Sequence, residues 1–118
     1  MKRIVARFYR TVAGSEPIRN WLLELEVEDR KIMGKDIATV EFGWPVGMPV
    51  CRPLRGGVFE VRSTVRSGKV EARTYFAIEG DTMLLLHAVD GKQRQDGAIR
   101  LAGERLRDYR RRVAANKQ

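Results

Sequence analysis

The chain has little cysteine, little histidine and no long apolar run. Cys51 is the one cysteine and His87 the one histidine among 118 residues. A single cysteine excludes an internal disulfide and is typical of a reducing compartment, so we expect the chain in the cytoplasm. The apolar run at residues 83–86 is far shorter than the roughly 20 residues that cross a bilayer, so we expect no membrane partner.

Acidic residues are also in short supply. Lysine and arginine total 23 against 15 aspartates and glutamates, which gives a formal net charge of +8. In a small chain this excess favours a polyanionic partner such as RNA, DNA or the ribosome, although a generic solubilising surface remains the alternative. The length and 43% apolar content fit a single domain over residues 1–118.

The periodicity of the apolar residues predicts an α+β fold. One strand and a helical hairpin precede an irregular connector, three further strands follow, and a helix completes the order β-α-α-β-β-β-α. The predicted bounds are 3–9 for the first strand, 43–57 for the connector, 58–66, 69–79 and 82–90 for the later strands, and 96–113 for the last helix. We expect a mostly antiparallel sheet with the helical hairpin laid against it.

The C-terminal helix is predicted to have one apolar and one strongly basic face. The predicted buried stripe consists of Ile99, Ala102, Leu106, Tyr109 and Val113. The predicted outer face carries Arg100, Arg105, Arg107, Arg110, Arg111 and Arg112.

The spacing around Ser67 and Gly68 predicts a tight hairpin turn and, with it, the register of two strands. Counting back from this turn places Arg62 directly opposite Arg73, and Glu60 opposite Tyr75. Alternation assigns one face to the core, with Phe59, Val61, Val65, Val70, Ala72, Phe76 and Ile78. The other face carries Glu60, Arg62, Glu71, Arg73 and Tyr75.

Two arginines directly opposite each other repel, so their charges need an offset. One explanation is local, because Glu60 and Glu71 are diagonal neighbours that could form salt bridges with both arginines. The other is functional, because an anion such as phosphate could lie between the two guanidinium groups. The pattern leaves both explanations open.

The orientation of His87 depends on the turn after the second hairpin strand. A two-residue turn at Gly80-Asp81 pairs His87 with Thr74 and directs it into the core. A three-residue turn that includes Glu79 places His87 opposite Arg73, because a one-residue slip exchanges the two faces of a strand.

Three stretches resemble motifs of the RelE/ParE toxin superfamily, and most closely its phage-derived, HigB-like type II toxins. They are "PLRGGVFEVRSTV", "EARTYFAIEGDTMLLLHAVDGKQRQ" and "AGERLRDY", which together cover roughly residues 53–110. Residues 54–62 are similar to the family pattern L-x-G-x-x-E-x-R with one extra residue, and Arg73, Tyr75 and Phe76 match the strand that follows it. Several weak motifs in the same order make the resemblance specific.

The resemblance implies a ribosome-associated, metal-independent and cofactor-free endoribonuclease that a cognate helix-turn-helix antitoxin neutralises. Such an enzyme activates a ribose 2′-OH against the adjacent phosphate, which requires cations, a proton acceptor and a proton donor. The implied catalytic residues are Arg73, Lys92, Arg94 and His87, with His87 as a proton shuttle. The implied substrate-binding residues are Arg62, Tyr75 and Arg55.

Two other functions fit the same sequence. A ParE-like toxin would act on DNA gyrase, and a non-catalytic basic module would bind RNA or the ribosome through phosphate contacts alone. Neither would cleave RNA, so detection of cleavage separates them from the endoribonuclease.

Overall fold

The computed structural model describes residues 1–91 and 95–117 and confirms an α+β fold. The strands are β1 Val5–Phe8, β2 Cys51–Pro53, β3 Phe59–Val65, β4 Val70–Glu79 and β5 Thr82–Asp90. The helices are α1 Pro17–Leu23, α2 Val27–Gly43 and α3 Gln95–Asn116, and a 3-10 turn spans Arg55–Gly57. The connector predicted to be irregular therefore contains one short strand and one helical turn.

The strands form one open sheet in the order β1-β5-β4-β3-β2. Every neighbouring pair is antiparallel except β1 and β5, so the prediction of a mostly antiparallel sheet is confirmed. After β1, the helices α1 and α2 lead to β2 at the opposite edge of the sheet, and three antiparallel steps from β2 to β5 return the chain beside β1, with β5 parallel to it.

Helices cover both faces of the sheet. On one face, Met33 of α2 packs with Val65 and Ala72, as the predicted core face requires. We call the opposite face the arginine face, since it carries Glu60, Arg62, Glu71, Arg73 and Tyr75. α3 packs on the arginine face, where its first residue, Gln95, contacts Glu60. The buried side chains of α3 are Ala98, Ala102 and Leu106.

The hairpin turn has the predicted centre, and the strands have the predicted register. Ser67 and Gly68 both have positive φ, and the Lys69 N–H donates to the Arg66 carbonyl at 3.1 Å. The Arg66 N–H donates instead to Asp29 Oδ1 of α2 at 2.9 Å. Regular pairing therefore begins one step further from the turn, at Val65 and Val70.

Within residues 1–91 and 95–117, no helix combines the length and the apolar character needed to cross a bilayer. The same residues contain no group of three or more His, Cys, Asp or Glu side chains arranged to hold a metal ion.

Candidate functional site

Arg62 and Arg73 lie directly opposite each other on neighbouring strands, as the register predicted. Both are ion-paired with carboxylates of the same face. Arg73 Nε lies 2.8 Å from Glu60 Oε1, and Arg73 Nη2 lies 3.5 Å from Glu71 Oε1. Arg62 Nε lies 3.2 Å from Glu71 Oε1 and 3.8 Å from Glu60 Oε2. The positive charges of the two arginines are balanced by the negative charges of Glu60 and Glu71, as the explanation based on local salt bridges predicted.

Glu60 is the most deeply buried member of this cluster, with 0% of its side chain exposed. A buried carboxylate is costly unless it is paired, and here Arg73 and Gln95, whose Nε2 lies 3.3 Å from Oε1, supply the contacts. The sequence pattern assigned Glu60 to an exposed face because it could not show that the start of α3 covers this part of the sheet. Arg73 is 21% exposed and Glu71 is 44% exposed, so both remain accessible from solvent.

Tyr75 is fully buried between the ion-paired cluster and His87. Burial raises the pKa of its hydroxyl, and the nearby Glu60 carboxylate raises it further. Within the described part of the chain, the hydroxyl oxygen has no hydrogen-bond partner. Tyr75 was predicted to bind substrate, and in this structure its ring is fully buried in the same core cluster as Ala98 and Ala102 of α3.

The unpartnered hydroxyl leads to a stability prediction. Replacing Tyr75 with phenylalanine is expected to raise the free energy of unfolding by about 1 kcal/mol, because a buried unsatisfied polar group is removed while the ring stays. Urea unfolding of the Tyr75→Phe variant beside the wild type measures this change. A loss of stability would show that the hydroxyl makes a favourable contact.

His87 pairs with a residue that neither of the two predicted registers placed opposite it. The two-residue turn is present, since Glu79 pairs with Thr82. A β-bulge then shifts the register between Phe76 and Tyr75, which leaves Leu86 without a paired residue and places His87 opposite Tyr75. His87 therefore lies on the arginine face, and both predicted partners, Thr74 and Arg73, are wrong. Its ring stacks on Tyr75 at 6.2 Å between centroids.

Arg105 of α3 contacts both the His87 ring and the backbone next to it. Its Nη1 donates to the carbonyl oxygen of the bulged Leu86 at 2.8 Å and lies 3.4 Å from His87 Nδ1. A guanidinium group can only donate, so this contact requires an unprotonated Nδ1. Burial, with the charge of Arg105 as a second cause, lowers the pKa of His87 to about 4. Arg105 is thus half-buried and does not belong to the outer basic face of the helix where it was predicted.

The lowered pKa makes stability depend on pH. Below about pH 6.5 the unfolded chain binds a proton at His87 that the folded chain does not bind until pH falls to about 4. Stability is therefore expected to fall as pH drops through this window, and the decline should be shallower in a His87→Gln variant. Chemical unfolding at pH 7 and pH 5 measures the effect, and the NMR titration of the chain's single histidine gives the folded pKa directly. A folded pKa near 6.5 would contradict the assignment.

The remaining predicted site residues lie in two other places. Arg55 is exposed at the start of the 3-10 turn, and none of the contacts of the ion-paired cluster involves it. Lys92 and Arg94, predicted to be catalytic, lie outside the described residues. They fall in the short segment between Asp90, which ion-pairs with Arg66 at 2.8 Å, and Gln95, which contacts Glu60.

The comparison with protein families identifies the class to which the chain belongs. Residues 20–107 match the family model described as "Phage derived protein Gp49-like (DUF891)". Because the match covers most of the sequence, the chain belongs to this family, which is associated with RelE-like and toxin-like proteins. No curated protein matches the sequence.

Proposed function

We propose that the chain is the toxin of a type II toxin-antitoxin system, of the HigB-like branch of the RelE superfamily, and that it cleaves mRNA on the ribosome. The observation that carries the proposal is the position of Arg73. It projects from the central part of the sheet, is ion-paired with a buried carboxylate, and has 21% of its side chain exposed to solvent. Membership of a phage-derived, toxin-associated family and a net charge of +8 agree with this activity.

The proposed reaction is an internal transfer that needs no metal. The ribose 2′-oxygen attacks the adjacent phosphorus, the bond from phosphorus to the 5′-oxygen breaks, and the products are a 2′,3′-cyclic phosphate and a free 5′-OH. One side chain accepts the 2′-OH proton and another donates a proton to the leaving oxygen, while cations stabilise the phosphorane. Arg73 is proposed to contact the phosphate with Arg62 beside it, and Lys92 and Arg94 are proposed to complete the site.

Glu71 is a better candidate than His87 for the proton acceptor. It is the exposed carboxylate of the cluster and lies within 3.5 Å of both arginines. His87 is half-buried against α3, so a ribose hydroxyl reaches it less readily than it reaches Glu71, and its pKa of about 4 leaves it no stronger a base than an ordinary carboxylate. Glu71→Gln is therefore expected to reduce cleavage strongly, and His87→Gln to reduce it little.

A second candidate is a basic module that binds RNA without cleaving it. The observation that favours it is the pairing of both Arg62 and Arg73 with carboxylates, which must be rearranged before either arginine can grip a phosphate. The partner proposed for the toxin is a helix-turn-helix antitoxin, and a neighbouring gene of that type would support the first candidate.

Induced expression of the wild-type chain with mapping of mRNA 5′ ends tests the proposal. Growth arrest accompanied by new 5′-OH ends is the expected result. Arrest without cleavage, together with inhibited supercoiling by purified gyrase, would overturn it in favour of a ParE-like activity. Soluble protein that causes neither arrest nor cleavage would overturn it in favour of the binding module.

A further inference from the structure

A second cluster of arginines surrounds a groove between the 3-10 turn and α3. The groove has a volume of about 280 Å³. It is lined by Arg55, Gly56, Ile99, Arg100, Gly103 and Arg107. It is separate from the ion-paired cluster, because none of these residues contacts Glu60 or Glu71 through an ion pair.

The charges of this groove are not balanced. Arg55, Arg100 and Arg107 are all exposed, and within the described residues none lies within 4.0 Å of a carboxylate oxygen. The arginine face is different, since Arg62 and Arg73 each have two carboxylate contacts. Three unpaired guanidinium groups around one small groove repel one another, and an anion bound between them would relieve that repulsion.

The helix geometry gives the groove its shape. Arg100, Gly103 and Arg107 are three and four residues apart, so they lie on one face of α3. Gly103 lies between the two arginines and contributes no side chain, and the Arg107 guanidinium lies over it, with Nη1 3.6 Å from the position that a Cβ would take. Ile99 adds an apolar wall of the kind that a sugar or base can contact.

The groove lies along the same helix as the start of the proposed cleavage site. Gln95, the first residue of α3, contacts Glu60, and Ile99 to Arg107 follow on the next turns. At about 1.5 Å per residue, the groove begins roughly 6 Å beyond Gln95 along the helix axis. A single strand that passes over Arg73 and continues along α3 can therefore reach both places.

We propose that Arg55, Arg100 and Arg107 bind a backbone phosphate of the RNA strand, outside the site of cleavage. The inference rests on the function proposed above, because it assigns the bound strand to RNA. Binding is expected to be independent of base identity, because a contact to a backbone phosphate carries no direct information about the base sequence.

A matched pair of triple variants tests this assignment. The first variant is Arg55→Gln/Arg100→Gln/Arg107→Gln. The control is Arg19→Gln/Lys31→Gln/Lys35→Gln, which removes the same charge from exposed positions of α1 and α2 that do not line the groove. The probe is a 2′-O-methyl RNA oligonucleotide that cannot be cleaved, and its binding is followed by fluorescence anisotropy over a range of salt concentrations.

The groove variant is expected to bind the probe about tenfold more weakly than the control, with a salt slope reduced by about 0.7 for each phosphate that the variant no longer neutralises. Equal affinities and slopes for the two triple variants would overturn the inference, as would a wild-type chain that does not bind the probe. Weaker binding by the groove variant to an acidic peptide, with RNA binding unchanged, would reassign the groove to a protein partner and also overturn it.

The same proteins distinguish this inference from the proposed function. Cleavage by the wild type in a translating extract, with equal probe binding by both triple variants, would support the proposed endoribonuclease activity and overturn the assignment of the groove as a phosphate-binding site. Absence of cleavage, with binding lost selectively in the groove variant, would support RNA binding at the groove and overturn the proposed endoribonuclease activity.

Discussion

Replacement of Arg73 by methionine is expected to lower the free energy of unfolding by about 3 kcal/mol, because Glu60 would stay buried without its nearest cation. Arg73 Nε is 2.8 Å from Glu60, and the next cation, Arg62 Nε, is 3.8 Å away. Methionine keeps the unbranched shape of the arginine stem, so the change in the free energy of unfolding reflects the loss of the charge more than a loss of packing. Urea unfolding at pH 7 of the variant and the wild type measures it.

A double variant supplies the control. When Glu60→Leu is added to Arg73→Met, the buried carboxylate disappears together with its partner. We expect this chain to unfold within about 1 kcal/mol of the wild type, since apolar residues of similar volume often replace a buried ion pair without loss. An Arg73→Met chain as stable as the wild type would contradict the role given to the pair.

Replacement of Phe76 by alanine is expected to cost about 3–5 kcal/mol, because a large ring is removed from a packed core. Phe76 is fully buried, stacks on Phe59 at 5.5 Å and meets the edge of Trp44 at 6.0 Å between ring centroids. The matched control is Phe42→Ala. Phe42 is 52% exposed, so its loss is expected to change stability by less than about 0.5 kcal/mol.

Chemical unfolding of the two phenylalanine variants measures this contrast, and similar losses in both would contradict the assignment of the core. The Phe76 variant has a second use. Phe76 lies on the face opposite Arg73, so the variant is destabilised without any change to the ion-paired cluster. Assayed at a temperature where it remains folded, it is expected to retain activity.

The register of β3 and β4 could be predicted from the sequence because two independent signals agree. The Ser67-Gly68 turn and the strict alternation of apolar residues give the same pairing, and the structure places Arg62 opposite Arg73 as predicted. β2 could not be predicted, because three prolines and four glycines in residues 43–57 hide a strand of three residues. Its three residues pair along the edge of β3, with Cys51 opposite Val61 and Pro53 opposite Phe59.

The orientation of His87 could not be predicted, because it depends on a β-bulge that no neighbouring residue in the sequence indicates. Residues 83–86 are all apolar, and Ala88 and Val89 follow His87, so alternation does not indicate which face each residue of this strand occupies. The bulge is held from another element, by Arg105 through the Leu86 carbonyl. The burial of Glu60 could not be predicted for a related reason, because it depends on where α3 begins to cover the sheet.

Expression of the Glu60→Leu/Arg73→Met chain beside the wild type shows most directly whether Arg73 acts on RNA in addition to forming its ion pair with Glu60. Wild type and the Glu60→Leu/Arg73→Met chain are expressed at equal soluble levels, and mRNA 5′ ends are mapped in both. Growth arrest and new 5′-OH ends are expected from the wild type, and neither is expected from the double variant. Arrest and cleavage by the double variant at the wild-type level would contradict this expectation, and Arg73 would then be a structural residue alone.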